Sequence, residues 1–287
     1  MKFAWMKEHR EAFAIEVMSA VPGVSKAGYD AWLKRPASNR RRRREQLAAK
    51  VREAHQQSRR IYGSPRVHRE LLEAGEKICR NTVAKIMRQE RIRSVTAKRF
   101  RPCTTDSRHD HPVMENRLDR DFAAESPNRK WCADITYVQT RQGTLYLAAV
   151  MDLCSRRIVG WSMSEQMPVD LVADALTMAL RRRRPDAGLI HHSDRGVQYA
   201  CAIYQDLLSE HGIVCSMSRV GNCYDNAVME SFWGTLKTEC VYPHEPYESF
   251  EAARRSIFEY IETFYNRTRR HSSLGYVSPE AFEAALN

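Results

Sequence analysis

Eight cysteines are scattered through the 287 residues, and no two of them form a CxxC pair. That spacing argues against a disulfide framework and against a cysteine-type zinc knuckle. Cys103, His109 and His111 lie close together but lack the second cysteine pair a zinc site needs. No stretch approaches the roughly 20 apolar residues of a membrane span. The N-terminus carries no apolar run of signal-peptide length, so a reducing, cytoplasmic location is expected. Negative charge is scarce at the front of the chain. Residues 1–100 hold 25 Lys and Arg against 10 Asp and Glu, whereas residues 131–287 hold 15 against 19. The overall net charge of +11 is therefore confined to the first third. A surface kept basic for solubility needs no such segregation, whereas a polyanion-binding front end on a separate core does.

That front end reads as helices. Glu8 to Ala20 has helical spacing, with Ala12, Ile15 and Val17 among its apolar positions, and Ser25 can cap a second helix beginning at Lys26. Together they make a helix-turn-helix-like unit over 1–37. A basic linker helix over 38–60 opens with Arg40, Arg41, Arg42, Arg43 and Arg44, a run that suits a solvated face or phosphate neutralisation. A second helix-turn-helix-like unit spans 61–95. Pro65 stands in its first turn, Val67, Leu71 and Leu72 are apolar, and Gly75 makes the turn. Its second helix turns Val83, Ile86 and Met87 inward and Arg80, Asn81 and Lys85 outward, where such residues reach base edges. Residues 96–127 are polar and broken by proline, as a linker is.

The character changes at Trp131. Three β-rich runs suggest an antiparallel meander, and after them helices alternate with two short strands. The helix from Pro168 to Arg184 carries an apolar stripe, and a single helix is expected from Val197 to Gly212. This is an α/β core over 128–242 with a mixed five-stranded sheet and flanking helices, followed by a helical extension over 243–287.

Asp134 falls inside the first strand, and Asp194 ends the fourth, where carboxyl-end loops of α/β sheets bind ligands. Glu230 lies on a helix that Asp225 can cap after a Gly221-Asn222 turn. Asn226, Glu230, Trp233 and Lys237 fall on one face of it, and Val228, Phe232, Leu236 and Cys240 on another. A carboxylate in an otherwise apolar strand is costly unless it is paired or binds a metal. Three carboxylates from separate elements suit two Mg²⁺ ions, which could activate a water or 3′-OH and stabilise the leaving oxygen of a phosphodiester.

The matching residues are Trp131-x-x-Asp134-Ile135-Thr136-Tyr137, His192-Ser193-Asp194-x-Gly196-x-Gln198-Tyr199, Asp225-Asn226-Ala227-x-x-Glu230-Ser231-Phe232 and Leu236-Lys237-x-Glu239. The tail adds Tyr265-Asn266 and His271-Ser272-x-Leu274-Gly275. On these the chain resembles DDE transposases and retroviral integrases, and most closely the second-frame (OrfB) transposase of the insertion-sequence-three family. The 35 residues between Asp194 and Glu230 match that group. The resemblance implies an RNase H-like fold with Asp134, Asp194 and Glu230 as catalytic metal ligands. It implies Mg²⁺ as two ions, Mn²⁺ as a substitute, and no organic cofactor. Lys237, seven residues past Glu230, and Asn226 are then DNA-binding, with Arg80, Asn81, Lys85 and Arg40 to Arg44. The implied activity is nicking at element ends followed by attack of the freed 3′-OH on a second phosphodiester. The implied partners are double-stranded terminal-repeat and target DNA, further copies of the chain on that DNA, and an upstream-frame protein. The resemblance further implies no membrane and a location in the bacterial cytoplasm at the nucleoid.

Two other readings compete. One is a structure-specific nuclease of the same fold that cuts without joining, and the two front-end units argue for a site-specific enzyme instead. The other is a non-catalytic DNA-binding regulator, against which the presence of all three carboxylates stands. His191, His192 and His271 resemble general bases but suit structural or phosphate-contacting roles. Arg269 and Arg270 read either as phosphate contacts or as part of an exposed basic loop.

Overall fold

The computed structural model describes residues 2–96, 114–219 and 223–286. Cys103, His109, His111 and the Gly221-Asn222 turn fall outside these residues. Two compact units divide the chain, Met1–Glu53 and Ala54–Asn287.

The first unit holds three short helices, α1 (Lys2–Glu8), α2 (Ile15–Ala20) and α3 (Lys26–Lys34), and most of α4 (Asn39–Gln57). The single helix expected from Glu8 is instead broken between His9 and Ala14, and Val17 is exposed rather than inward. The small core is Met6, Met18 and Tyr29, to which α1 contributes a residue the periodicity had not included. Ser25 caps α3 as expected, its hydroxyl accepting from Gly28 N at 3.0 Å. The arginine run lies within α4, where Arg41 pairs with Glu45 one turn on.

In the second unit, α5 (Ser64–Glu73) and α6 (Arg80–Gln89) form the helix pair with the turn at Gly75, whose φ of +80° suits a residue without Cβ. Val67, Leu71, Val83, Ile86 and Met87 are buried, while Leu72 is exposed. Five strands follow: β1 (Lys130–Thr140), β2 (Gly143–Asp152), β3 (Ile158–Ser164), β4 (Ile190–Ser193) and β5 (Val214–Met217). They form one sheet in the order β3-β2-β1-β4-β5. β1, β2 and β3 pair antiparallel, and β4 joins β1 in parallel.

The last six residues of β2 are all buried, because helices cover the sheet. α7 (Val169–Arg183) lays Leu171, Val172, Ala175, Leu176 and Ala179 on one face, with Trp131 and Val150 beneath. It comes so close to β3 that a Cβ on Gly160 would lie 2.1 Å from the Ala175 carbonyl oxygen. The helix expected after Gly196 is two, α8 (Val197–Ala200) and α9 (Ala202–Glu210), separated by Cys201 in extended backbone. α10 (Ala227–Leu236), α11 (Phe250–Glu259) and α12 (Pro279–Ala284) complete the chain. Among the described residues, no helix is long and apolar enough to cross a membrane.

The end of the proline-broken segment is bound to the sheet. Arg117 N and Leu118 N both donate to Ser216 Oγ beside β5, and Leu118 is buried.

Candidate active site

The pairing of β1 with β4 sets the site. Cys132 lies opposite His192 in that parallel ladder. Two residues further along each strand come Asp134 and Asp194. Adjacent strands run about 4.8 Å apart, so the two aspartates emerge side by side. Asp134 Oδ1 accepts from Ile135 N at 2.9 Å, and Oδ2 accepts from Trp233 Nε1 at 2.9 Å. Trp233 stands three residues past Glu230, so this bond ties α10 to β1. Asp194 Oδ1 accepts from Gly196 N at 2.9 Å. A Cβ on Gly196 would sit 3.0 Å from that same oxygen, so a side chain there would crowd the carboxylate.

Burial raises the pKa of Asp134 above the ordinary aspartate range, the charge of Asp194 raises it further, and Glu230 adds to the shift. The Glu230 side chain as a whole is exposed, yet its carboxyl end loses enough water for its pKa to rise as well. Desolvation leads in both shifts, and like charges add to it at Asp134. Among the described residues, no three His, Cys, Asp or Glu side chains converge closely enough to enclose a single ion. The donor set nonetheless fits hard divalent cations, which take few protein oxygens and keep several waters. Each Asp134 oxygen accepts only one of these two bonds and retains a lone pair for a cation.

The other expected residues fall into two groups. Arg80, Asn81 and Lys85 are exposed on one side of α6, and Arg40 to Arg44 are exposed on α4. Lys237 and Asn226 are turned in. Lys237 is 6% exposed, with its ammonium 4.8 Å from the Tyr137 ring centroid. Its pKa is lowered by burial, which the charges of Glu245 and Asp134 partly offset. Asn226 Nδ2 donates to the Ala133 carbonyl at 3.4 Å, and its buried Oδ1 has no hydrogen-bond partner among the described residues.

Asp225 does not cap α10. Its fully buried carboxylate accepts from Arg219 N, Nε and Nη2, from Arg120 Nε and from Asn116 Nδ2. It thereby ties Asn116, Arg120 and Arg219 to the start of α10. The hydrogen bonds from Arg219 hold its pKa well below the ordinary aspartate range. A depressed carboxylate contributes stability that is complete above its unfolded value of about 3.9 and disappears as pH falls below it. Asp225→Asn is therefore expected to unfold more readily at pH 7 and to lose much of its acid sensitivity below about pH 4. Urea midpoints across pH 2–7 check this, and a parallel acid limb in both proteins would contradict it.

The histidines are structural. Burial lowers the pKa of His192 to about 4 and that of His191 to about 3. His192 lies between the hydroxyls of Ser216 and Ser218, and His191 Nε2 meets Tyr204 OH at 3.1 Å. Burial and the charge of Arg269 lower His271 to about 3 as well.

Arg269 and Arg270 belong to no exposed loop. Arg269 is 3% exposed and makes a bidentate pair with Glu239 at 2.7 Å through each nitrogen. Arg270 pairs with Glu70 and Glu73. These pairs and the Trp233 bond to Asp134 were not anticipated. The only sequence signal for them is Arg66, Glu70 and Glu73 falling at i, i+4 and i+7 on α5, a charged face that needs partners.

Residues 124–223 and 211–279 each match a family model described as Integrase core domain, and residues 42–100 match an HTH-like domain. With the strand order and the paired aspartates, this makes the chain a polynucleotidyl transferase with an RNase H-like core. It is 46% identical over 92% of its length to the "Insertion element IS600 uncharacterized 31 kDa protein" of Shigella sonnei, covering 97% of that protein. It is 43% identical over 99% of its length to "Transposase InsF for insertion sequence IS3A" of Escherichia coli (strain K12), covering 98% of it. A looser likeness links it to a simian T-cell lymphotropic virus intasome, at 14% identity and a TM-score of 0.48 over 81% of this chain and 74% of that one. The chain belongs to the IS3 family of DDE transposases.

Proposed function

We propose that this transposase cuts the ends of its element and joins them to target DNA, using Asp134, Asp194 and Glu230 as ligands for Mg²⁺. What supports the reading is that Asp134 on β1 and Asp194 just past β4 leave adjacent strands side by side, while Trp233 ties α10, the helix of Glu230, to Asp134. The other two carboxylates also act electrostatically on Asp134. Bound divalent cations supply Lewis-acid polarisation of the phosphodiester and a nucleophile of lowered pKa. Two ions fit three carboxylates better than one, and Mn²⁺ meets the same oxygen donors. Cutting exchanges a water for the departing 3′-OH at phosphorus, and joining exchanges that 3′-OH for the 3′-oxygen of the target strand.

The chain's own residues position the reaction. Trp233 holds Asp134 against rotation, and Gly196 leaves room for Asp194. Lys237, its ammonium over the Tyr137 ring, puts a positive charge within electrostatic reach of Asp134. Asn226, one helical turn before Glu230, offers a buried carbonyl oxygen to whatever donor enters beside Ala133. Arg80, Asn81 and Lys85 read the terminal repeat, and Arg40 to Arg44 neutralise phosphate. Joining two ends in one event calls for at least two copies on DNA, and an upstream-frame protein is a further partner.

The test is strand transfer on labelled element-end DNA with Mg²⁺, comparing the wild type with Glu230→Gln. Joined product from the wild type alone is expected. Cutting without joining would indicate a nuclease. Equal cutting by both proteins would remove Glu230 from the site.

A further inference from the structure

Within the second unit, the α5–α6 pair is docked through a charge-balanced junction whose arginine side, Arg269 and Arg270, is buried with Glu239, while Glu70 and Glu73 stand at its more open edge. α5 presents Arg66, Glu70 and Glu73 on one face. Arg270 Nε donates to Glu70 at 2.6 Å, and its Nη1 donates to Glu73 at 2.6 Å and to the Tyr276 carbonyl at 2.8 Å. Its backbone N donates to Tyr62 OH at 2.8 Å, and Arg66 Nε donates to the Arg270 carbonyl at 2.9 Å. Arg66 also comes within 3.8 Å of Glu239, which Arg269 holds and to which Tyr260 OH donates at 2.7 Å. Glu239 stands nine residues beyond Glu230, in a wide turn where Tyr242 N bonds back five residues to Lys237 O. Arg66, Arg269 and Arg270 thus balance Glu70, Glu73 and Glu239. The network runs from α5, on which the reading helix α6 packs, to the turn that follows α10. Buried ion pairs contribute little net stability, and their best-attested use is to fix one geometry against alternatives.

We propose that this junction is a gauge. It holds α6 at one distance from the carboxylates, so that the bases read by α6 determine which phosphodiester is cut. Arg270 is the positioning residue that decides cutting specificity. This rests on the transposase reading for its consequence in DNA, but not for the rigidity itself.

The test maps nicks at nucleotide resolution on labelled end DNA and follows hydrogen exchange of the α5 amides and the Arg270 amide. Arg270→Glu, which puts three carboxylates together, is expected to keep Mg²⁺-dependent cutting but spread it over neighbouring phosphodiesters. Its α5 amides should exchange about tenfold faster or more. The charge swap Glu70→Arg/Glu73→Arg/Arg270→Glu should restore both single-position cutting and slow exchange. Arg270→Lys, which cannot span both glutamates, should fall between and serves if the inverted variant does not fold. Cutting confined to the wild-type phosphodiester while α5 exchanges fast would overturn the gauge. If the wild type cuts nothing, the transposase reading fails instead. The exchange data then still decide rigidity, and unchanged α5 protection in Arg270→Glu would refute it.

Discussion

Asp134→Asn leaves a folded protein that neither cuts nor joins DNA and that is more stable than the wild type in the absence of metal. Both effects follow from the same carboxylate. In the metal-free protein its charge is desolvated and faces Asp194 and Glu230. The amide removes that repulsion; its single Oδ1 can accept from Ile135 N or from Trp233 Nε1 but not from both, so the loss of one of these bonds offsets part of the gain. In the reaction, the loss of one anionic ligand removes several kcal/mol of charge stabilisation, about a thousandfold or more in rate. The two effects separate in one set of urea melts. Mg²⁺ at about 100 times its dissociation constant stabilises the wild type by about 2.7 kcal/mol through mass action, and the variant gains little. A variant that cuts DNA at the wild-type rate, or that gains as much from Mg²⁺, would remove Asp134 from the metal site.

Much of this was legible in the chain because the decisive signals are local. β-branched runs around Trp131 and Val150 define strands, the stripe from Leu171 to Leu180 defines α7, and a carboxylate among apolar neighbours marks Asp134. What was not legible depends on partners far away in sequence or on small departures from helical regularity. Arg270 reads as exposed because its glutamates lie 200 and 197 positions earlier. Lys237 stays on the Glu230 face, because α10 is regular as far as Lys237 N, which bonds back four residues to Trp233 O. What the repeat does not announce is the burial of its ammonium against Tyr137 on β1, or the widening just beyond it, where Tyr242 N bonds back five residues to Lys237 O. The break at Cys201 has neither glycine nor proline to announce it. It is held by tertiary contact, with Gln205 Nε2 donating to the Tyr199 carbonyl at 2.7 Å across the gap.

Arg269→Met should strongly destabilise the second unit. The substitution strands Glu239, which is 8% exposed, with the Tyr260 hydroxyl at 2.7 Å and Arg66 at 3.8 Å as its remaining partners. Breaking a buried pair by removing one member costs about 3–5 kcal/mol, mostly the penalty of the uncompensated charge. Removing the whole polar set has a different consequence. In Arg269→Met/Glu239→Leu the Tyr260 hydroxyl is left without its acceptor, at about 1–3 kcal/mol. Adding Tyr260→Phe removes that orphan, while Arg66 keeps its bond to the Arg270 carbonyl. The triple variant is therefore expected to recover to within about 1 kcal/mol of the wild type, since well-packed apolar groups commonly match a buried ion pair. Urea unfolding followed by tryptophan fluorescence and by circular dichroism measures each step. If the triple variant unfolds as easily as Arg269→Met, shape rather than charge holds the turn after α10. If it recovers, the pair is dispensable for stability, and its persistence in a folded core points to geometry. Stability regained while the nick scatters would tie Glu239 to where the DNA is cut rather than to whether the chain folds.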